Sequence, residues 1–280
     1  MKNKRLLILL IAFFGVAIVV TLGSTLFTVN ANNIEVNWTT TRNQLRDVTD
    51  EAIIEGAQMR GFESIFFVNK TRYVENLEQN FPYIKVLSIE TVFPNRLVFH
   101  VGEREALYAL RVTATTNQGI GAPTHSFVLL CREFKVLEHV SANQFDANSS
   151  NTPILLETNQ GFSDLSFTPG MVAAILFDND IMPTFSLILE ALGQSNAESR
   201  AYVRSVVLSA GNPRSALNIT MHRGIDFRIV ISDAENRLFD QLLLGFSVFE
   251  QEWNRGNHTG VITVYVHSSG EVRSAYNPAG

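Results

Sequence analysis

The chain has 280 residues, nearly half of them apolar, a formal net charge of −5 and a single cysteine, Cys131. One cysteine excludes an intramolecular disulfide and a cysteine metal cluster. The lack of a basic run that could track phosphates argues against a nucleic-acid partner, and the apolar fraction is enough for one core or two.

Lys2, Lys4 and Arg5 form a short basic tail over residues 1–5, and no charge follows from Leu6 to Val29. At about 1.5 Å per residue that run spans roughly 36 Å as a helix, against a hydrocarbon core of about 30 Å. It therefore reads as a transmembrane helix over residues 6–29. A cleaved signal peptide is the rival, with Val29-Asn30-Ala31 as a weak cleavage site. Signal peptides have a shorter apolar region, about 7 to 15 residues, which favours an uncleaved anchor. Three cations precede the span, and the next is Arg42. The positive-inside rule puts the N-terminus in the cytoplasm and the bulk outside, a single-pass type II arrangement. Taking the three tail cations from 22 Lys and Arg leaves 19 against 27 Asp and Glu, so the outer part carries −8.

A first outer unit is expected over residues 30–104. Asn33–Trp38 alternates polar and apolar, as a half-buried strand does. Thr49 and Asp50 are N-cap residues for a helix through Ala52, Ile53, Ile54, Ala57 and Met59, with Gly61 placed to end it. Ile65–Val68 is a short apolar stretch. Asn69 caps a second helix bearing Tyr73, Val74, Leu77 and Phe81, which Pro82 stops. Strands Ile84–Glu90 and Arg96–Val101 flank a Phe93-Pro94-Asn95 turn. The order is β-α-α-β-β, two helices on one face of a small sheet.

A second unit, over residues 105–276 with a C-terminal tail at 277–280, is mainly strand-like. Strands are predicted at Ala106–Val112, Ser126–Cys131, Phe134–Leu137, Tyr202–Leu208, Ala216–Met221, Phe227–Ile231 and Val261–Val266. Helices are predicted at Pro183–Leu192 and Ala234–Asn254; the longer is amphipathic, with Leu238, Leu242, Phe246 and Phe249 on one stripe. Thr113–Thr124 and Asn143–Thr158 read as surface loops. The fold class is α+β: a transmembrane helix, a small β-α-α-β-β domain, then a mixed, mainly antiparallel β domain.

The search for catalysis finds little. His100, His125, His139, His222, His258 and His267 are dispersed, and no nucleophile elbow, Ser-x-x-Lys or phosphate-cradling loop occurs. Asn117-Gln-Gly-Ile-Gly-Ala lacks a following helix and reads as a flexible loop. Cys131, between Leu130 and Arg132 at a strand end, reads as a buried inert thiol. Glu103 and Arg104 stand at the domain junction, either as an acid with its electrostatic partner or as a charged hinge. No cofactor, metal or small-molecule substrate is implied.

An ordered set of motifs resembles a known family. Phe66-Phe67-Val68-Asn69-Lys70 is followed by Leu77, Phe81-Pro82-Tyr83-Ile84-Lys85, Phe93-Pro94-Asn95-Arg96-Leu97 and Val101-Gly102-Glu103-Arg104. With the short tail and span, this is similar to the bacterial division proteins FtsQ and DivIB, whose outer part is a POTRA domain and a β domain. Phe127–Leu130, Lys135–Leu137, Gly224–Val230 and Gly260–Val264 resemble parts of that β domain. Ala106 stands where relatives commonly have Pro, and Cys131 and Phe134 stand where a hairpin turn usually has Asp and Gly.

The resemblance implies a non-enzymatic divisome component at the septal membrane. It would bind FtsL-like and FtsB/DivIC-like proteins outside the cytoplasm and help couple the division ring to septal peptidoglycan synthesis. It also implies that a partner adds a strand to the β-domain edge, by β-augmentation. The matching edge would be Val261–Ser268, with Val261, Thr263 and Tyr265 on one face, Val264 and Val266 on the other, and Ser268 at its end. The alternatives are a POTRA-type assembly or chaperone factor, and an exported enzyme with a site built from scattered residues.

Overall fold

The computed structural model describes residues 11–17, 21, 26–59, 63–113, 125–146, 152–158, 162–163, 167–173, 181–194, 202–208, 216–222, 224–231 and 237–278. Residues 11–17 are helical. Among the described residues no helix is long and apolar enough to cross a membrane. Residues 6–10, 18–20 and 22–25 of the anticipated span lie outside the described set, as do 114–124 of the first anticipated loop. The end of the anticipated span is corrected: Thr28–Val29 form a strand paired with Glu63–Ser64, and Val29 is buried in the core of the first unit. The chain divides into two compact units between Arg104 and Glu105.

The first unit begins with β1 (Thr28–Val29) and β2 (Ile34–Trp38). Helix α1 (Asp50–Gly56) follows, then β3 (Glu63–Ser64), α2 (Lys70–Asn80), β4 (Ile84–Val92) and β5 (Arg96–Glu103). Both helices start where the caps predicted. Thr49 Oγ1 accepts from the Ala52 N–H at 3.2 Å, and Asn69 Oδ1 accepts from the Arg72 N–H at 3.1 Å. These side chains satisfy donors that a helix N-terminus leaves open.

Helix α1 ends earlier than Gly61, which lies outside the described residues. The chain turns at Gln58, whose φ is 51°. Phe81 decides what the last turn of α1 can hold: a Cβ on Gly56 would sit 2.4 Å from the Phe81 ring.

The sheet order is β2-β5-β4, with β2 parallel and β4 antiparallel to the central β5. Leu97, Phe99 and Val101 of β5 share one face and are buried. Ile53, Tyr73, Leu77 and Ile84 complete that core.

Among the described residues the second unit is built on one ten-stranded sheet. Its strands are β6 (Tyr108–Thr113), β7 (His125–Leu130), β8 (Val136–Ser141), β9 (Ile154–Thr158), β10 (Phe162–Ser163), β11 (Val203–Leu208), β12 (Ala216–Met221), β13 (Ile225–Val230), β14 (Gly260–Val266) and β15 (Val272–Asn277). Helix α3 (Ile181–Gln194) precedes β11, and α4 (Leu238–Asn254) precedes β14. The order runs β15-β14-β13-β12-β11-β9-β6-β7-β8, with β10 beside β6. Adjacent pairs are a mixture: β6 with β9, β9 with β11, and β13 with β14 are parallel.

The anticipated loop Asn143–Thr158 is therefore corrected. Ile154, Leu155 and Leu156 are buried and form a strand near the sheet centre, between β6 and β11. A parallel strand covered on both faces carries a short continuous apolar run and no alternation, so polar neighbours hide it.

The predicted apolar stripe of α4 is the one it buries. Leu242, Phe246 and Phe249 are nearly fully buried, and Phe227 of β13 packs edge-on against both phenylalanines, with centroids 5.3 and 5.7 Å away. At the β7–β8 turn Phe134 takes a left-handed φ of 56°, where glycine would be unstrained. Its ring lies stacked on Tyr108 at 5.0 Å, and the side chain is buried. Burial of that ring offsets a backbone cost of order 1 kcal/mol.

Phe246→Ala should destabilise the second unit by about 3 to 5 kcal/mol. Each unit contains one tryptophan, Trp38 or Trp253, and Trp253 sits beside Phe249 on α4. Urea unfolding followed by Trp253 fluorescence in a Trp38→Phe background measures the change.

Candidate partner-docking edge

A partner strand needs a sheet edge with unpaired backbone groups. The predicted edge, Val261–Ser268, does not provide one. Strand β14 is paired on both sides, with β13 in parallel and with β15 antiparallel. Val264 is fully buried, and a Cβ on Gly245 of α4 would lie 3.4 Å from its Cγ2. Val261 is exposed, while Thr263, Tyr265 and Val266 are half-buried. Ser268 lies outside the strand, in the turn to β15. The alternation of faces is real, but the strand is internal to the sheet.

Among the described residues, no strand pairs with the outer side of β15. The hairpin bonds reveal which of its residues face outward. The His267 N–H donates to the Glu271 carbonyl at 2.8 Å, and the register continues through Tyr265 with Arg273 and Thr263 with Ala275. Bonded and non-bonded pairs alternate along an antiparallel ladder. Arg273, Ala275 and Asn277 therefore bond inward to β14. Val272, Ser274 and Tyr276 point N–H and C=O outward. The sequence does hold a signal for this strand. Ser268-Ser269-Gly270 makes the turn, with Gly270 at φ 82°, and the next six residues alternate between half-buried and exposed.

Glu103 and Arg104 close the first unit. The Glu103 carboxylate accepts backbone N–H groups of Asn43, Gln44 and Leu45, and the Glu103 N–H donates to Thr40 Oγ1 at 2.8 Å. The Arg104 N–H donates to the Tyr83 carbonyl at 2.6 Å, and its Nε donates to the Ile84 carbonyl at 3.1 Å. Arg104 Nη2 pairs with Glu78 Oε2 at 2.7 Å, with the two side chains 6% and 14% exposed. The other Glu78 oxygen accepts from the Val86 N–H at 3.0 Å. Arg104 thus joins the end of β5 to α2 and the start of β4.

Among the described residues no group of three or more His, Cys, Asp or Glu could hold a metal ion. Cys131 is buried, and its thiol donates to Glu133 Oε2 at 3.1 Å. Burial first, and that hydrogen bond second, push the thiol above its usual pKa. Thiolate is the reactive form, so this environment suppresses nucleophilicity.

Comparison with known proteins bears on the first unit. Residues 43–104 match the family described as POTRA domain, FtsQ-type. Over these residues the first unit is similar to an FtsQ-type POTRA domain. It is also 31% identical over 112 residues to the cell division protein DivIB of Clostridium botulinum, strain Hall, and equally to that of strain Loch Maree. Each match covers 40% of this chain and 41% of the relative. DivIB of Clostridium tetani is 35% identical over 63 residues, covering 22% of this chain and 23% of that protein. The match spans about two fifths of the length of the two Clostridium botulinum relatives. Together these matches support the FtsQ/DivIB family.

In the POTRA domain the motif residues have physical roles. Phe81 packs over Gly56, and the Glu103-Arg104 pair clasps a loop with one side chain and a helix with the other. Removing Arg104 would leave Glu78 as a nearly buried charge without its partner, which costs about 3 to 5 kcal/mol. Arg104→Ala should therefore lower the stability of the POTRA domain by that order. Trp38 fluorescence in a Trp253→Phe background reports it, and Trp253 in the reciprocal background should show the second unit unchanged. Cys131 should resist iodoacetamide at pH 8 in the folded protein and react fully in urea, as mass spectrometry would record.

Proposed function

We propose that this chain is a non-enzymatic divisome component anchored by residues 6–26, with its POTRA and β domains outside the cytoplasm at the septal membrane. It binds FtsL-like and FtsB/DivIC-like partners and helps couple the division ring to septal peptidoglycan synthesis. The FtsQ-type POTRA domain and the DivIB relatives support the family part of this reading. The observation that carries the partner part is the outward row of N–H and C=O groups on Val272, Ser274 and Tyr276.

An extended partner segment adds to this row by β-augmentation. Main-chain hydrogen bonds supply affinity, and alternate side chains supply register. Thr263 and Tyr265 are poor positions for a proline test of this idea. Their N–H groups bond inward to β15, so proline there would damage the hairpin itself.

Ser274→Pro removes an outward donor and leaves the β14–β15 ladder donors in place. The variant should keep its urea midpoint and lose capture of FtsL-like and FtsB/DivIC-like outer segments in a pull-down with the full chain. Undiminished capture by a folded Ser274→Pro protein would rule out strand addition at β15. Lack of capture by the unaltered chain would rule out these partners.

A further inference from the structure

The POTRA domain gathers exposed aromatic rings where three chain segments meet. Phe27 ends the apolar N-terminal run, Phe66 and Phe67 lie in the turn after β3, and Phe93 lies in the β4–β5 turn. The Phe27 and Phe66 rings are 5.4 Å apart, and the Phe66 and Phe93 rings 5.7 Å apart. Phe66, Phe67 and Phe93 are 60%, 86% and 63% exposed, and Leu26 beside them is 53% exposed. Exposed apolar residues clustered this way mark a contact surface.

The backbone holds this cluster against the end of the apolar run. The Ile65 N–H donates to the Phe27 carbonyl at 2.9 Å, and Thr28 and Val29 pair with Ser64 and Glu63. The Phe67 N–H closes the turn onto the Ser64 carbonyl at 2.9 Å. The turn bearing two of the rings is thus stapled to the last residues of the uncharged run.

Charge separates lipid from other occupants. The chain is acidic overall, yet residues 64–72 and 91–97 contain no Asp or Glu and include Lys70 and Arg96. Arg96 is half-exposed and pairs with Glu35 at 3.1 Å. Aromatic rings with flanking cations are the composition found at membrane–water interfaces, where rings sit at headgroup depth. We propose that Phe66, Phe67 and Phe93, with Phe27, seat one end of the POTRA domain in the headgroup layer of the membrane that holds residues 6–26. This rests on the anchored reading given above. Its consequence is a POTRA domain held against the bilayer in a fixed orientation.

The test uses the full chain in nanodiscs of phosphatidylcholine and phosphatidylglycerol, with or without shallow doxyl-labelled lipid. Cys131→Ala leaves one thiol for an environment-sensitive fluorophore, placed by Phe67→Cys or by Gln79→Cys. Gln79 is exposed near the far end of α2, about 13 Å along the helix from Lys70. The fluorophore at 67 should show blue-shifted emission and several-fold stronger doxyl quenching than at 79. Adding Phe66→Ser and Phe93→Ser, both at exposed positions, should abolish that difference.

Equal quenching at 67 and 79 in chains that incorporate into nanodiscs would overturn the proposal and leave the anchor intact. Unchanged quenching in the double serine variant would also overturn it. Failure of the chain to incorporate at all would overturn the anchored reading, and this proposal with it.

Discussion

An open sheet must end, and its last strand keeps a row of backbone groups that no neighbour satisfies. That constraint decides where the second unit can receive a partner. The ten strands are arranged so that β14, the strand with the stronger apolar pattern, lies one place in from the edge. Its Ile262 and Val264 side chains are buried, and its backbone is used on both sides. At this end of the sheet the edge belongs to β15, a shorter and more polar strand whose bonds alternate inward and outward. Under the proposed strand addition, docking would be carried by main-chain geometry, with residue identity on β15 setting how well that geometry is presented.

The first unit depends on a different kind of closure. Among the described residues its larger sheet has three strands, and the end of the central one is fixed by Arg104 through two backbone carbonyls and the Glu78 carboxylate. A charge this deeply placed is tolerable because each oxygen of Glu78 and the guanidinium have partners. Glu103 does the complementary work on the opposite side, holding the 43–45 loop through its backbone donors. Two adjacent charged residues thus close two separate parts of one small domain.

Much of this was legible in the sequence, for identifiable reasons. The caps at Thr49 and Asn69, the stop at Pro82 and the turn at Phe93-Pro94-Asn95 are local signals, and the structure follows them. The stripe on α4 is also local, since helical spacing alone sets it. What escaped was non-local. Ile154–Thr158 has too few apolar residues to stand out, and only its pairing with strands distant in sequence makes it central. Strand β15 is half-exposed and carries Arg, Ser and Asn, which propensity reads as loop. The edge that the resemblance placed at Val261–Ser268 is internal, because β15 pairs with it; alternation reports which side chains face the core. It does not report which neighbours a strand has.

The shortness of that edge has a consequence for any complex it forms. Exposed edges invite indiscriminate pairing, and proteins guard them with brief strands, charges and proline. Here Arg273, paired to Glu271 at 2.8 Å, stands within or beside the strand, and Pro278 follows it. Only Val272, Ser274 and Tyr276 offer their groups, so a docked segment gains a handful of main-chain bonds and would detach readily in free solution. On the anchored reading proposed above, confinement to the same bilayer would change the arithmetic, because a shared two-dimensional phase raises the effective concentration of a docking segment without any added contact. A guarded, abbreviated edge of this kind would then favour a reversible association between two molecules held in one membrane.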